Sequence, residues 1–344
     1  MKRTALLAVA AVLFFTVIFG ACSKSKSGSS SAAKTITVKM THTGSEQTLA
    51  HQSFLAIKDH METASNGVFK VDIYPNGQLG NDAQLVEAVQ EGDVQIMFTN
   101  VGYLVQFVPE LGVFSVPFAF PNIDVAYKVL DGDFGKGMLD MMEGAGGMVG
   151  LSYIEAVAYR ELSAPRSIRV PSDLAGLKIR VMTNPLHVAI WETLGAQPTA
   201  ISFAELYTAL QQGTVDAQEN PVELFVSSRF YEVQKYLIMT NHVFQCGMLV
   251  ANPVWFNGLT PELQRVVREA AMKGTLLQRE KTAENYAEYL KTIQDSGGTI
   301  VELTDQEMQQ WRDKARPVLP VFAQNVGGQA IIDRLFASVE AASR

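Results

Sequence analysis

The sequence Thr35-Ile-Thr-Val-Lys-Met40 alternates polar and apolar residues, and Val68-Phe-Lys-Val-Asp-Ile-Tyr74 and Val94-Gln-Ile-Met-Phe98 also have the character of short strands. Between them, residues 48–65 and 82–90 carry apolar side chains at helical spacing. This order of strand, helix, strand, helix and strand predicts an α/β fold that contains a parallel sheet with right-handed crossovers.

Ligands of open α/β sheets bind beyond the carboxyl ends of the strands. In this part of the chain those ends are Thr41-His42-Thr43, Tyr74-Pro75-Asn76 and Thr99-Asn100. Either Asn81 or Asp82 can cap the helix that follows the second strand. We therefore expect polar side chains at these junctions, His42 and Asn100 among them, to lie near a ligand.

The same pattern returns later in the chain. In Gly176-Leu-Lys-Ile-Arg180-Val the apolar residues alternate with Lys178 and Arg180, so the two basic side chains share one face of a predicted strand. Helices are expected over residues 186–194 and 203–212. This region therefore predicts a second unit of strands and helices after the first.

Two apolar, strand-rich segments, 148–158 and 236–250, are expected to carry the chain from one unit to the other and back. A helical pattern begins at Thr260-Pro261 and continues to about residue 296, with a predicted break near Gly274. A helix of this length would brace both units. Two further helices are predicted over residues 305–317 and 320–341.

The N-terminus has the features of an export signal. Two basic residues precede an apolar run over residues 5–19, which is too short to cross a bilayer comfortably, and small residues follow. The residues before Cys22 resemble a lipobox, so residues 1–21 are predicted to be a lipoprotein signal peptide and Cys22 to be lipidated. Residues 22–33, rich in Ser and Lys, predict a flexible tether.

Charge and cysteine content exclude several classes of function. The formal net charge is -7, and it becomes -9 once the signal and its two basic residues are removed. An acidic body without a basic run argues against binding to nucleic acid or to anionic lipid. Cys22 and Cys246 are the only cysteines, so acylation of the first leaves no internal disulfide, and Cys246 is predicted to be a buried small hydrophobe.

Arg160 and Arg180 are the residues that most suggest a ligand. A guanidinium is planar and permanently charged, and it can bind a carboxylate through two hydrogen bonds. Two arginines at strand ends would therefore suit a small carboxylate. The alternative is a structural salt bridge with Glu161, Glu205 or Glu219, because ion pairs are common in folded proteins.

Aromatic residues follow these arginines in the chain. Phe203, Tyr207 and Phe225 could wall the part of a ligand that carries no charge, or they could belong to the core, since helical spacing explains the first two. Asn220 lies at another strand-to-helix junction and adds an amide to the predicted site.

No pattern for catalysis or for a metal is present. The five histidines lack ligand spacing, and a single thiol of the mature body cannot form a zinc cluster. The glycine-rich residues 144–150 precede a strand, which is the wrong context for a dinucleotide, and residues 132–137 lack the Ser or Thr of a P-loop. No Gly-x-Ser-x-Gly elbow occurs. We expect no cofactor, no metal and no enzymatic activity.

Five motifs, in this order, resemble the periplasmic receptors of tripartite ATP-independent (TRAP) transporters of the C4-dicarboxylate-binding type. They are Tyr74-Pro-Asn-Gly-Gln-Leu-Gly80, Leu85-Val-Glu-Ala-Val-Gln-Glu-Gly92-Asp-Val, Pro171-Ser-Asp-Leu-Ala-Gly-Leu-Lys-Ile-Arg180-Val, Glu205-Leu-Tyr-Thr-Ala-Leu-Gln-Gln-Gly213-Thr-Val-Asp216 and Gln218-Glu-Asn-Pro221. The resemblance covers essentially all of the chain after the tether. It implies a two-lobed periplasmic binding protein with crossing strands and a long bracing helix.

The resemblance also implies a function. Arg180 would bind the carboxylate of a small organic acid, a dicarboxylate or a sugar acid, with Arg160 as a second contact and Asn220 as a contact from the second lobe. His42 and Asn100 would contact the ligand from the first lobe. Sialic-acid receptors of the family have a glutamate at the position of Asn100, which makes sialic acid a poor candidate here. The closed form would dock on TRAP permease subunits in the membrane.

The residue patterns and the family resemblance together predict the lobe bounds, the binding residues and the location of the protein. Lobe I is assigned to residues 34–157 plus about 246–285, and lobe II to residues 158–245 plus about 286–344. The predicted binding residues are Arg180, Arg160, Asn220, Asn100, His42, Phe203, Glu219 and Tyr207. The protein would be periplasmic or extracytoplasmic and lipid-anchored. The alternatives are a ligand-sensing lipoprotein of the same fold and a secreted enzyme that acts on carboxylated sugars.

Overall fold

The computed structural model describes residues 35–154 and 159–344. The predicted signal peptide, the lipidation site at Cys22, the tether and the first boundary between the lobes, at residue 157, lie outside the described residues.

The strands are β1 (Ile36–Thr41), β2 (Phe69–Tyr74), β3 (Ile96–Asn100), β4 (Val149–Ile154), β5 (Tyr159–Ala164), β6 (Lys178–Val181), β7 (Gln197–Ala200), β8 (Ala217–Asn220), β9 (Tyr236–Phe244), β10 (Gly247–Ala251) and β11 (Thr299–Val301). The α-helices are α1 (Leu49–Ala64), α2 (Asp82–Glu91), α3 (Val101–Leu104), α4 (Ile123–Asp131), α5 (Asp133–Gly144), α6 (Pro185–Leu194), α7 (Leu206–Gln211), α8 (Val222–Ser227), α9 (Pro253–Asn257), α10 (Pro261–Asp295), α11 (Asp305–Ala315), α12 (Leu319–Asn325) and α13 (Gln329–Ser343).

The first lobe is built on a five-stranded sheet in the order β2-β1-β3-β10-β4. β1 lies parallel to both β2 and β3, so the predicted parallel arrangement of the first three strands is confirmed. β10 inserts antiparallel between β3 and β4, although it comes from much later in the chain. This insertion lies beyond what the early strand pattern could predict.

The second lobe is built on a six-stranded sheet in the order β11-β9-β5-β8-β6-β7. β6 is parallel to β7 and β8, whereas β5 is antiparallel to β8 and β9. The chain returns to the first lobe between β9 and β10, because these consecutive strands belong to different sheets. The fold is therefore two-lobed, with the return crossing near residue 246.

Helix α10 braces the two lobes as predicted. Its 35 residues follow the N-cap Thr260, whose hydroxyl accepts a hydrogen bond from the backbone N–H of Leu263. It packs on α1 and β4 of the first lobe and on α8 and β11 of the second. The predicted break near Gly274 is wrong, because α10 is continuous and this glycine is buried against the side chain of Ile57 on α1.

Residues 123–144 form two helices, α4 and α5, which are divided at Gly132. The C-terminal helix α13 belongs to the segment that the sequence analysis assigns to lobe II. It packs on α4 and α5 of the first lobe, where Lys128 donates a hydrogen bond to the backbone carbonyl of Ala342 and Arg334 lies over the ring of Phe134.

Apolar side chains fill three clusters. The largest contains Cys246, which is buried as predicted. A second cluster lies between the first sheet, α1 and α10, and a third lies around α7 and α8 of the second lobe. Among the described helices, none combines the length and the apolar character that a membrane span requires.

Candidate ligand-binding site

A small cavity lies between the lobes, at the carboxyl ends of β1, β3, β6 and β8. It is lined from the first lobe by Thr43, Gly44, Thr48, Ala50, Asp82, Phe98, Asn100 and Tyr103, from the second by Arg160, Arg180, Met182, Phe203, Asn220 and Leu224, and by Gln245 at the return crossing. The open space is about 40 Å³. Ligand pockets usually enclose roughly 300–1,000 Å³, so an organic acid needs the lobes further apart to enter.

Arg180 is fully buried on the polar face of β6. Its Nε donates to the backbone carbonyl of Ile201 at 2.8 Å, and its Nη2 lies 3.4 Å from the hydroxyl of Tyr103 in the first lobe. Its Nη1 has no hydrogen-bond partner within the described chain. A buried cation without a carboxylate partner is costly, and an anion in the cavity would compensate for it.

Arg160 is in a different electrostatic state, because it is paired with Glu219. Its Nε donates to Glu219 Oε2, and its Nη2 donates to Glu219 Oε1 at 2.8 Å and to Asn220 Oδ1 at 3.1 Å. β5 and β8 are antiparallel with Leu162 opposite Glu219, so Arg160 and Glu219 are diagonal neighbours on one face of the sheet. The predicted alternative of a structural salt bridge thus holds for Arg160.

Two buried histidines contact the same carboxylate. His242 Nε2 lies 3.0 Å and His187 Nδ1 3.6 Å from Glu219. Burial lowers the pKa of both histidines despite this neighbour. Burial also acts to raise the pKa of Glu219, but Arg160 and the two histidines hold it well below its usual range. His242 therefore donates its Nε2 proton to an ionised Glu219, and its Nδ1 accepts from Thr240 at 2.8 Å.

Three other predicted residues reach the cavity. Asn100 accepts the backbone N–H of Gly102 at 2.7 Å, which leaves its amide as a donor on the first lobe. Asn220 accepts from Arg160 and donates to Gln218, so its position is set by the paired arginine. Phe203 supplies an aromatic wall and packs edge-on against another ring of the second lobe.

The structure places the remaining predicted residues elsewhere. Glu219 lies behind Arg160 and does not line the cavity. His42 is buried below it and contacts His51 at 3.1 Å, and burial followed by the charge of His51 lowers its pKa to about 4. Tyr207 points to the surface, where its hydroxyl donates to Glu232 at 2.8 Å. None of the three is among the described residues that line the cavity.

Sequence reasoning missed the acidic member of the cavity. Asp82 was considered as a helix cap, but Asn81 performs that role through a capping box with Gln84. The Asp82 side chain is thereby released into the cavity. Tyr103 and Gln245 were also missed, since both lie outside recognisable strand ends in the sequence. The only available signal was the position of Asp82 at the start of the helix that follows the second strand.

A larger cavity of about 820 Å³ lies on the other face of β5. Its wall contains the buried carboxyl of Glu161, whose pKa burial raises to about 8, and Arg279, which is already paired with Asp131 at 2.7 and 2.9 Å. Size alone favours this cavity, but its other arginine, Arg312, is exposed to solvent, so its lining offers no buried cation comparable to Arg180. Within residues 35–154 and 159–344, no group of three or more His, Cys, Asp or Glu side chains could hold a metal ion.

Comparison with known proteins identifies the family. Residues 40–325 match the family described as bacterial extracellular solute-binding protein, family 7. The chain belongs to this family. A solute-binding protein of Verminephrobacter eiseniae is 36% identical over 246 residues, which cover 71% of this chain and 73% of the relative.

Solved structures of sugar-acid-binding and TRAP periplasmic solute-binding proteins share the two-lobed fold. The sugar acid binding protein from Advenella mimigardefordensis, in complex with galactonate, is 31% identical with a TM-score of 0.86, and the match covers 90% of this chain and 99% of that one. A TRAP periplasmic solute-binding protein from Shewanella oneidensis with bound succinate is 30% identical with a TM-score of 0.84, covering 89% and 99%. Members of this family are binding proteins that serve TRAP transport, and their location is periplasmic.

Proposed function

We propose that this protein is an extracytoplasmic receptor that captures a small organic carboxylate between its lobes and delivers it to a TRAP permease. The observation that carries the proposal is the buried guanidinium of Arg180, which lines the interlobe cavity and whose Nη1 has no hydrogen-bond partner among the described residues. A carboxylate there would form charge-assisted hydrogen bonds in a desolvated site. The galactonate and succinate bound to the relatives are both carboxylates, which supports the same ligand class.

Binding would be coupled to lobe closure. Arg180 belongs to the second lobe and Tyr103 to the first, and their contact at 3.4 Å forms only when the lobes are close. A ligand favours closure to the extent that it binds the closed form more tightly than the open one. A carboxylate on Arg180 that also contacts Asn100 would do so. The closed surface would then be the form that the permease recognises.

The proposal includes export and anchoring. Residues 1–21 would be removed as a signal peptide, and Cys22 would carry the lipid that holds the receptor at the membrane. Replacement of Cys22 by serine is expected to move the protein from the membrane fraction to the soluble extracytoplasmic fraction of cells. An unchanged distribution would contradict the lipid anchor and leave the receptor function intact.

We also propose bounds for the two lobes and a function that leaves the ligand chemically unchanged. Lobe I would comprise residues 34–157 with about 246–285, and lobe II residues 158–245 with about 286–344, except that α13 would move with lobe I, on which it packs. The protein would act by binding and release, without turnover of its ligand.

The decisive experiment compares Arg180→Ala with Lys178→Ala on the same strand. Wild type and Lys178→Ala should bind the same organic acids in a thermal-shift and calorimetric screen, because Lys178 is exposed on β6. Arg180→Ala should lose at least about a hundredfold in affinity, since two charge-assisted hydrogen bonds contribute about 3 kcal/mol or more. Its ligand-free stability should be retained, because a buried unpaired charge is removed. Equal affinities in the two variants would overturn the proposal.

A further inference from the structure

Asp82 is a buried carboxyl that lines the cavity from the first lobe. Its side chain is only 6 % exposed, at the first position of α2. Its Oδ1 accepts from the hydroxyl of Thr99 at 2.9 Å and from that of Thr43 at 3.4 Å. A carboxylate has about four acceptor positions, so two hydroxyl donors leave capacity for a ligand.

The charges of the cavity are therefore separated by lobe. Arg160 and Arg180 are the only basic side chains in its described lining, and both belong to the second lobe. Arg160 is already paired with Glu219, so Arg180 is the cation available to a ligand. Asp82 belongs to the first lobe, where Asn100 and the threonines are neutral. A dicarboxylate would place its second anionic group in a region that offers no second free cation.

The surroundings of the Asp82 carboxyl favour an uncharged hydrogen-bond donor of a ligand over a charged one. Burial raises its pKa, while the hydroxyls of Thr99 and Thr43 and the charge of Arg180 act in the opposite direction. The two hydrogen-bond donors to Asp82 in this structure are both hydroxyl groups. A ligand hydroxyl joins them at a smaller desolvation cost than an ammonium group would, because burial of a charge is far more costly than burial of a hydroxyl.

We infer that Asp82 is a specificity-determining residue that selects hydroxylated monocarboxylates, with the ligand carboxylate on Arg180 and a ligand hydroxyl donating to Asp82. A second carboxylate is excluded by repulsion from Asp82, which is the kind of unfavourable contact that produces specificity. This inference rests on the proposed receptor function and narrows its ligand class to acids of the aldonate type.

The test is calorimetry of wild type and Asp82→Asn with four acids of equal chain length: galactonate, hexanoate, adipate and 6-aminohexanoate. Wild type should bind galactonate at least about tenfold more tightly than the other three, since a hydrogen bond to a charged acceptor is a strong one. Asp82→Asn should weaken galactonate about tenfold and strengthen adipate, because the amide no longer repels the second carboxylate. The changes of opposite sign distinguish specificity from a loss of folding.

Thr99→Val is the matched control, because it removes one donor to Asp82 and keeps the charge. It should weaken galactonate without strengthening adipate. A wild-type preference for adipate or 6-aminohexanoate, no binding of galactonate, or equal weakening of every acid in Asp82→Asn would overturn the inference. Arg180→Ala separates the two proposals: if it loses every acid while Asp82→Asn leaves selectivity unchanged, the receptor function stands and the role of Asp82 fails.

Discussion

The carboxylate of Glu223 accepts a hydrogen bond from the backbone N–H of Leu49 at 3.1 Å. Leu49 is the first residue of α1 in the first lobe, and Glu223 lies in α8 of the second. The first N–H groups of a helix have no partner within the helix, and the helix dipole favours a negative charge beside them. A side chain of one lobe therefore satisfies a helix end of the other, so separation of the lobes would break this contact.

Burial raises the pKa of Glu223 to about 7, so its carboxylate is ionised above that pH. At about pH 8, Glu223→Ala should weaken ligand binding by about tenfold, because a hydrogen bond to a charged group contributes about 1.5–3 kcal/mol and this one joins the two lobes. Glu223→Gln keeps an acceptor and should lose less. Calorimetry with the acid that wild type binds most tightly gives both values, and Glu192→Ala, on the exposed face of α6, is the control. Wild-type affinity in Glu223→Ala would show that this contact has no part in closure.

The buried pair of Arg160 and Glu219 leads to a prediction about stability. Glu219→Leu leaves the Arg160 guanidinium without its carboxylate in a site that is 1 % exposed, so unfolding in urea should require about 3–5 kcal/mol less free energy. Arg160→Leu should be destabilising for the corresponding reason. The double variant should lose much less than the two single losses added together, because it leaves no unpaired charge. Additive losses would mean that the pair is not coupled.

Arg180 and Arg160 show which features of the site the sequence could predict and which it could not. Period-two alternation was sufficient to put Arg180 on a polar strand face, and Arg180 indeed lines the cavity. The pairing of Arg160 with Glu219 depends on the register of β5 against β8, which connects residues far apart in the chain. Local spacing contains no information about that register, so ligand contact and structural salt bridge remained equally possible until the fold was known.

The directions of side chains on helices were also not predictable from the sequence. Phe203 and Tyr207 are close in sequence, yet only Phe203 lines the cavity while Tyr207 reaches the surface. Asp82 and Asn81 are both good helix caps, and the choice between them decides which carboxyl or amide faces the ligand. The place of α13 depends on tertiary packing alone. Element types could therefore be predicted well, whereas the directions of particular side chains could not.

Glu161 gives a prediction for pH. Burial raises its pKa from 4.5 to about 8, although hydrogen bonds from Asn241 and Thr240 act against the shift. The folded protein thus keeps a proton that the unfolded chain releases, so this group makes stability fall as pH rises from about 4.5 to about 8 and adds no further loss above that range. In Glu161→Gln the melting temperature should decrease less between about pH 5 and pH 9 than in wild type. Glu340→Gln, at an exposed position, should follow the wild-type profile; an identical profile for Glu161→Gln would refute the shift.

Gly274 and Gly137 form a matched pair of helical glycines with opposite expected effects. A Cβ at Gly274 would lie 2.7 Å from two side-chain carbons of Ile57 on α1, whereas a Cβ at Gly137 in α5 would meet no atom within 4 Å. Alanine favours a helix over glycine by up to about 1 kcal/mol, but overpacking a core costs about 1–3 kcal/mol. Urea denaturation should therefore show that Gly137→Ala stabilises the protein and Gly274→Ala destabilises it. Equal stabilisation by both variants would mean that α1 and α10 can move apart without cost. The close approach of these two helices would then be no explanation for the glycine at position 274.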